Sequence, residues 1–138
     1  MNNNNDFVDK LRSSGLRPTK QRLQICKVLF DRKETFHFTV QKLSKIIESK
    51  FNSKISLATV YNTVESFKKK GLLKEISINS DKSYYDTNIS NHHHFFDEST
   101  KELIDLNSDD VGKVVIKKNI PGKKINSIEV LIKIANNN

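Results

Sequence analysis

The sequence predicts an α+β chain, a helical lobe closed by a β-hairpin in the manner of a winged helix-turn-helix, followed by a small α/β lobe. Three observations carry this expectation. Apolar residues recur at helical spacing as far as Lys70, and after Gly71 the period changes to two, as happens where helices give way to strands. Charge is divided at a similar place: residues 1–85 hold 17 basic and 8 acidic side chains, a net of +9, whereas 86–138 hold 7 and 8, a net of −1. Three of the four histidines stand together in Asn91-His92-His93-His94-Phe95-Phe96, on the near-neutral side of that division.

The elements follow in order. Residues 6–14 read as a first helix, with Phe7, Val8 and Leu11 apolar and Gly15 as its stop. Pro18 suits the first turn of a second helix that reaches about Asp31, with Leu23, Ile25, Cys26, Val28, Leu29 and Phe30 as its apolar residues. Thr39 is the expected N-cap of a third helix carrying Val40, Leu43, Ile46 and Ile47. Ser56 caps a fourth, whose stripe is Leu57, Val60, Val64 and Phe67, and Gly71 follows its lysine-rich end. Residues 73–78 and 82–86, joined by Asn79-Ser80-Asp81, make a hairpin. Strands are expected over 92–96 and 102–106 around a turn at 97–101. Ser108 then caps a helix with Asp109 and Asp110 in its first turn and Lys117 and Lys118 near its end. Pro121-Gly122 breaks that helix, and 125–134 is a final strand. The Asn-rich ends, 2–5 and 136–138, are expected to fray.

Composition excludes several classes. At 138 residues the chain allows one ordinary domain or two small lobes. One cysteine, Cys26, forbids an internal disulfide and any multi-cysteine zinc site, and its place in an apolar helical pattern marks a buried thiol. No apolar run approaches the length of a bilayer span and residues 1–15 lack a signal-peptide core, so a soluble cytoplasmic protein with no membrane partner is expected. A basic first lobe points to a polyanion, although 20 of the 24 basic residues are lysine, a bias that A+T-rich coding alone also produces.

On the fourth helix the apolar stripe leaves Ala58, Thr59, Asn62 and Thr63 outward, with Tyr61 at its margin. Small polar side chains let a helix enter the major groove, where Thr, Asn and Tyr reach base edges or phosphates. Ser56, Ala58, Thr59, Tyr61 and Asn62 are the candidate contacts to double-stranded DNA there, and Arg17, Lys20 and Arg22 are candidates for phosphate or a narrow minor groove. The bland alternative is that Tyr61 packs and the cations form a solvated face.

Three segments, Gly15-Leu16-Arg17-Pro18-Thr19-Lys20-Gln21-Arg22, Ile55-Ser56-Leu57-Ala58-Thr59-Val60-Tyr61-Asn62-Thr63-Val64 and Gly71-Leu72-Leu73, resemble the ferric uptake regulator family in order and spacing. The resemblance runs from about residue 7 to 134. It implies a winged helix-turn-helix DNA-binding domain, residues 1–86, and a small α/β dimerisation and sensing domain, residues 87–138. It further implies a homodimer on a palindromic operator, with Tyr61 contacting the duplex from the recognition helix and Arg17 reaching the minor groove.

In a strand, His92 and His94 share one face and His93 takes the other. Two imidazoles make half a metal site, and Asp86, Asp105 and His37 are available to complete it; such nitrogen and carboxylate donors suit iron, manganese or zinc. The resemblance implies a regulatory site at matching positions, His37, Asp86, His92, His94 and Asp105, with Asp86 matched after a one-residue shift. An ion shared by both lobes would set the angle between them, and with it the spacing of two recognition helices in a dimer.

The sequence also departs from the family pattern. Where many members carry a Cys-x-x-Cys pair for structural zinc, this chain has Asp97 and Thr100, so no structural zinc held by four cysteines is expected; a second family metal site lacks its histidine near Asn126. The run His92-His93-His94-Phe95-Phe96-Asp97-Glu98, preceded by Tyr84-Tyr85-Asp86-Thr87-Asn88, is similar to the iron response regulator branch. That branch implies regulation of iron homeostasis and haem synthesis, with haem bound at His92, His93 and His94. Phe36, Phe38, Phe95 and Phe96 would offer apolar surface to the porphyrin. The amino-terminal Cys-Pro haem motif of some members is missing, since Lys27 follows Cys26. The alternative within the family is a repressor that responds directly to Fe, Mn or Zn. A small metalloenzyme is disfavoured by the want of HExxH spacing and of a general base beyond the proposed ligands. An interaction module without a DNA sequence preference is the remaining rival.

Overall fold

A computed structural model describes residues 4–137. Its packing divides between Ile89 and Ser90 into two compact units. The first contains α1 (Asn4–Ser13), α2 (Lys20–Phe30), β1 (His37–Phe38), α3 (Val40–Phe51), α4 (Leu57–Lys69), β2 (Lys74–Asn79) and β3 (Lys82–Asp86). Its strands form an antiparallel sheet in the order β1-β3-β2. Helices followed by a two-stranded wing, with a short third strand beside it, constitute a winged helix.

Side-chain caps fix where the helices begin. Thr19, Thr39 and Ser56 accept from the backbone N–H of Arg22, Lys42 and Thr59 at 3.3, 3.2 and 3.1 Å, each contact stabilising its helix by about 1 kcal/mol. The cap at Thr19 leaves Pro18 outside α2, contrary to the expected first-turn position. At the other end of α4, Gly71 takes φ +78° and the Leu72 N–H bonds the Phe67 carbonyl at 2.9 Å. That left-handed turn closes a helix at little steric cost only for glycine.

The buried stripe of α4 is Val60, Thr63, Val64 and Phe67, spaced i, i+3, i+4 and i+7. This corrects two expectations. Leu57, in the first turn, extends beyond the core and is 49% exposed, while Thr63 turns inward and donates to the Thr59 carbonyl at 2.9 Å. Val60, Val64 and Phe67 pack with Phe7, Leu11, Ile25, Leu29, Leu43 and Ile47 in one core. Cys26 lies in the same core, where burial pushes its thiol up to about 12. Native protein is therefore expected to resist a disulfide-exchange reagent at pH 8 and to react once per chain in denaturant. Rapid reaction of the folded protein would contradict that burial.

The second unit contains β4 (His93–Asp97), β5 (Glu102–Leu106), α5 (Ser108–Val111) and β6 (Leu131–Ile134). Its sheet runs β5-β4-β6, with β4 antiparallel to β5 and parallel to β6. Phe96, Leu103 and Leu106 are its buried apolar residues. The long helix expected after Ser108 is a single turn. Asn107 rather than Ser108 is its N-cap, with the Asn107 N–H donating to the Asp110 carboxylate at 3.1 Å. Gly112, at φ 73° and ψ −172°, takes a conformation that essentially only glycine adopts and ends the turn. The β-branched run Val114-Val115-Ile116 that follows is poorly suited to resume a helix. The last strand is likewise four residues long, not the ten expected from 125 to 134. At the Asn-rich ends, Asn4 and Asn5 begin α1, and the Asn136 N–H donates to Ser99 Oγ at 2.9 Å. Residues 2, 3 and 138 of the expected frayed ends lie outside the described range. No helix among the described residues is long and apolar enough to cross a membrane.

Candidate metal centre and nucleic-acid interface

In the second unit, the β4–β5 register sets His94 directly opposite Asp105, so their side chains leave the same face of the sheet. His92, two residues earlier, joins that face as the alternation requires. The result is convergence: His92 Nε2 and His94 Nε2 stand 3.1 and 3.2 Å from the same oxygen, Asp105 Oδ1. Both imidazoles are buried, and the ligating atoms of the three residues lie within 4.8 Å of one another.

The tautomer of His92 follows from its other nitrogen. Nδ1 lies 2.7 Å from the Ser90 carbonyl oxygen, which can only accept, so Nδ1 carries the proton and donates. In the neutral ring Nε2 then holds the lone pair, aimed at a carboxylate oxygen. Two such acceptors face one another stably only around a proton or a cation. A ring nitrogen freed for metal by a carbonyl on its far side is the common arrangement of ligating histidines. The Ser90 carbonyl left no trace in the sequence reading, because every residue carries one.

His93 faces away, as expected. Its Nδ1 accepts from the Val130 N–H at 2.9 Å, tying the start of β4 to the chain before β6. Of the four phenylalanines expected to offer surface to a porphyrin, Phe38 and Phe96 are instead buried in the cores of their units. Phe36 stacks on Phe38 and carries the Arg32 guanidinium 3.6 Å from its ring centre, and Phe95 is half-buried.

In the first unit, the β1–β3 register sets His37 opposite Asp86. His37 Nε2 is 3.0 Å from Asp86 Oδ2, and Asp86 Oδ1 accepts from the Asn88 N–H at 2.8 Å. Asp86 is fully buried, and burying a carboxylate is costly unless it is paired and hydrogen-bonded. Sequence reading gave no strand at His37; the two-residue β1 is too short to show periodicity, yet it aligns this pair.

The outer face of α4 presents Ala58, Tyr61 and Asn62 exposed and Thr59 partly so, with Tyr61 at 49%. Ser56 lies just ahead, its hydroxyl engaged in the cap and with Thr59 Oγ1 at 2.8 Å. Arg17 and Lys20 are exposed. Arg22 is partly committed, since its Nη1 donates to the Arg17 carbonyl at 2.9 Å and so shapes the loop that carries Arg17. An open cleft of about 1130 Å³ separates the amino end of α4 from the wing, lined in part by Leu57, Ala58, Tyr61, Asn79, Asp81 and Lys82.

A winged helix followed by a small α/β unit, with paired imidazoles and carboxylates, defines a class of two-part regulator folds. The ferric uptake regulator family model matches residues 13–133, and the chain belongs to that family. It is 33% identical over 110 residues to the ferric uptake regulation protein of Synechococcus elongatus, covering 78% of this chain and 74% of the relative. To the peroxide-responsive repressor PerR of Staphylococcus epidermidis it is 32% identical over 101 residues, covering 73% of this chain and 65% of that relative. The match thus spans a little under two thirds of the latter protein's length. Among solved structures, the Pseudomonas aeruginosa ferric uptake regulator with manganese superposes at a TM-score of 0.72 with 18% identity, covering 96% of this chain and 98% of that one, a likeness of fold. Membership is shared by iron-named and peroxide-named regulators and does not single out the iron response regulator branch.

Proposed function

We propose that this protein is a homodimeric, DNA-binding transcriptional regulator that binds a palindromic operator according to the occupancy of a divalent-ion site, iron, manganese or zinc. The observation that carries this reading is the convergence of His92 Nε2 and His94 Nε2 on Asp105 Oδ1. His37 and Asp86 complete the proposed donor set, three imidazoles and two carboxylates, a mixture that suits those ions. A bound cation would supply positive charge for the two carboxylates and an acceptor for the imidazole lone pairs. The chain's own residues do the arranging: the Ser90 carbonyl sets the His92 tautomer, and two strand registers place His94 opposite Asp105 and His37 opposite Asp86. Occupancy of that site is proposed to govern how the two recognition helices of a dimer meet the operator half-sites. Nothing in this reading is catalytic.

The dimer is supported by apolar side chains that the second unit leaves in solvent. Val115, Ile116, Ile120 and Ile125 are each more than half exposed, and Ile104 and Ile132 are also open. A surface of that kind is expected to be covered by a partner, and we assign a second copy to it. DNA contact is assigned to Arg17, Lys20, Arg22, Ser56, Ala58, Thr59, Tyr61 and Asn62.

Haem sensing at His92–His94 is the finer reading suggested by the iron response regulator likeness. It calls on imidazoles that are already engaged. His92 and His94 face Asp105, and His93 accepts at Nδ1, which puts its neutral-ring proton on Nε2. Axial ligation through His93 Nε2 would need the other tautomer and the loss of the Val130 hydrogen bond, which favours the ion over the porphyrin. The test starts from a palindrome selected out of a random duplex pool by the purified chain. Mn²⁺, Zn²⁺, anaerobic Fe²⁺ and haem are then titrated separately against binding to it. Tightening with an ion and no response to haem is expected. Release by haem with indifference to every ion would replace this reading with the haem one.

A further inference from the structure

A charged cluster in the winged unit has no part in either proposed site. Lys68, in the last turn of α4, reaches Glu75 Oε1 on β2 at 2.7 Å and Glu65 Oε1 on its own helix at 3.3 Å. The Tyr85 hydroxyl, from β3, donates to Glu65 Oε2 at 3.1 Å. Each strand of the wing is thereby tied to the helix. The partners shift one another as a working network does: the hydrogen bond to Glu75 holds the Lys68 ammonium above its ordinary range, and that to Lys68 holds Glu75 below its own. Tyr85 is itself 3% exposed, stacked on Phe38 with ring centroids 5.7 Å apart, so its hydroxyl is presented from a fixed ring.

Ile76, Ile78 and Tyr84 of the hairpin are buried, but apolar burial is non-directional, whereas the charged contacts fix the hairpin's orientation to the helix. A two-stranded ribbon is marginally stable alone and twists freely, and the further strand of its sheet, the two-residue β1, pairs with its base at Tyr85 and Asp86. Above that base the register shifts between Ser77 and Asn79, where pairing loosens toward the turn. The Glu65 and Lys68 contacts join β2 and β3 at Glu75 and Tyr85, which are themselves register partners. Helix α4 and the wing are thus clamped at one level of the hairpin, beside the cleft that separates Tyr61 from Lys82.

We propose that Glu65, Lys68, Glu75 and Tyr85 are positioning residues that set the wing against helix α4, so that helix and wing engage one duplex together. The proposal rests on the DNA-binding reading for its consequence, but not for its geometry. None of the four need touch DNA; they act through the placement of Lys82, the cation that opens β3 at the wing turn. Pairing Lys68 with two carboxylates also withdraws a cation from the phosphate-binding pool, which separates this role from a direct contact.

The test uses the full chain, with Mn²⁺ or Zn²⁺ present, on the selected palindrome. Lys68→Met is expected to weaken binding roughly tenfold, the scale of coupling between neighbouring groups, and Lys82→Ala to weaken it in the wild-type background. Combined with Lys68→Met, the Lys82→Ala loss is expected to shrink, because an unclamped wing no longer holds that cation at the backbone. The exchanged pair Lys68→Glu with Glu75→Lys keeps the bridge while moving the charge, and is expected to restore affinity and the Lys82 effect. Full additivity of Lys68→Met and Lys82→Ala, or failure of the exchanged pair to restore binding in folded protein, would overturn the proposal in favour of direct phosphate contact by Lys68. A wild-type chain without preference for any duplex would refute the DNA-binding reading instead. The clamp is then judged by amide exchange over 74–86: faster exchange in Lys68→Met, reversed in the exchanged pair, supports it, and unchanged exchange sinks it.

Discussion

His94→Ala is expected to lower the affinity of the apo protein for Mn²⁺ or Zn²⁺ by roughly a hundredfold or more, since removing even the outer partners of metal ligands costs up to that much. Calorimetric titration after chelation gives the number, and a thermal shift gives an independent one. An ion at a hundred times its dissociation constant stabilises the folded state by about 2.7 kcal/mol, and the variant is expected to lose that rise. His93→Ala is the informative neighbour. Its side chain leaves the opposite face of β4 and serves Val130, so ion affinity is expected to hold within about twofold. Stability is expected to fall by about 1 kcal/mol through the lost hydrogen bond. Equal damage to ion binding from both substitutions would mean that strand alternation does not define the site. Asp105→Asn separates charge from shape, because it keeps one oxygen in place while removing the negative charge on which both Nε2 atoms converge.

The winged unit was legible in the sequence because local and global signals agree there. Thr39 and Ser56 are caps in the sequence and in the structure, Gly71 stops α4 where the period changes to two, and the hairpin turns at Ser80-Asp81, within the expected 79–81. The errors lie at positions where one residue decides the face. Leu57 fits the helical stripe by type but sits in a first turn that outruns the core, and Thr63 fills the space with a hydroxyl satisfied by its own helix. Burial follows from where the neighbouring elements end, which helical periodicity does not contain.

The second unit is less legible in its sequence, for a different reason. Its acidic start and basic end favour a helix over 108–118 by dipole, but Gly112 and the β-branched run behind it oppose one, and the structure holds a single turn. From Gly112 to Glu129 almost every residue is exposed. Such a stretch has too few contacts of its own to offset the entropy of ordering, and the proposed partner copy would supply the rest. The histidine face, by contrast, needed only the period of two: His92 and His94 together, His93 opposed. Its orienting groups, the Ser90 carbonyl and the β1 pairing of His37, are backbone features without a residue-type signature.

Tyr61→Ala is expected to reduce affinity for the selected palindrome by about 1–3 kcal/mol, about fivefold to more than a hundredfold, as when a base contact in the groove is lost. Affinity for unrelated duplex is expected to change little, because nonspecific binding is carried by phosphate and cations. Folding gives no reason for a loss. Tyr61 is half exposed, it is absent from the buried stripe of α4, and alanine favours a helix more than tyrosine does, so stability is expected to stay within about 0.5 kcal/mol. Two companions fix the interpretation. Arg17→Ala is expected to weaken all duplexes and to flatten the salt dependence by about one unit of slope. Thr63→Ala, on the buried side of the same helix, is expected to act on stability without altering the ratio of specific to nonspecific binding. A Tyr61→Ala protein that loses both kinds of binding equally, with its melting temperature unchanged, would remove α4 from the groove and leave the winged unit a cationic surface with no sequence to read.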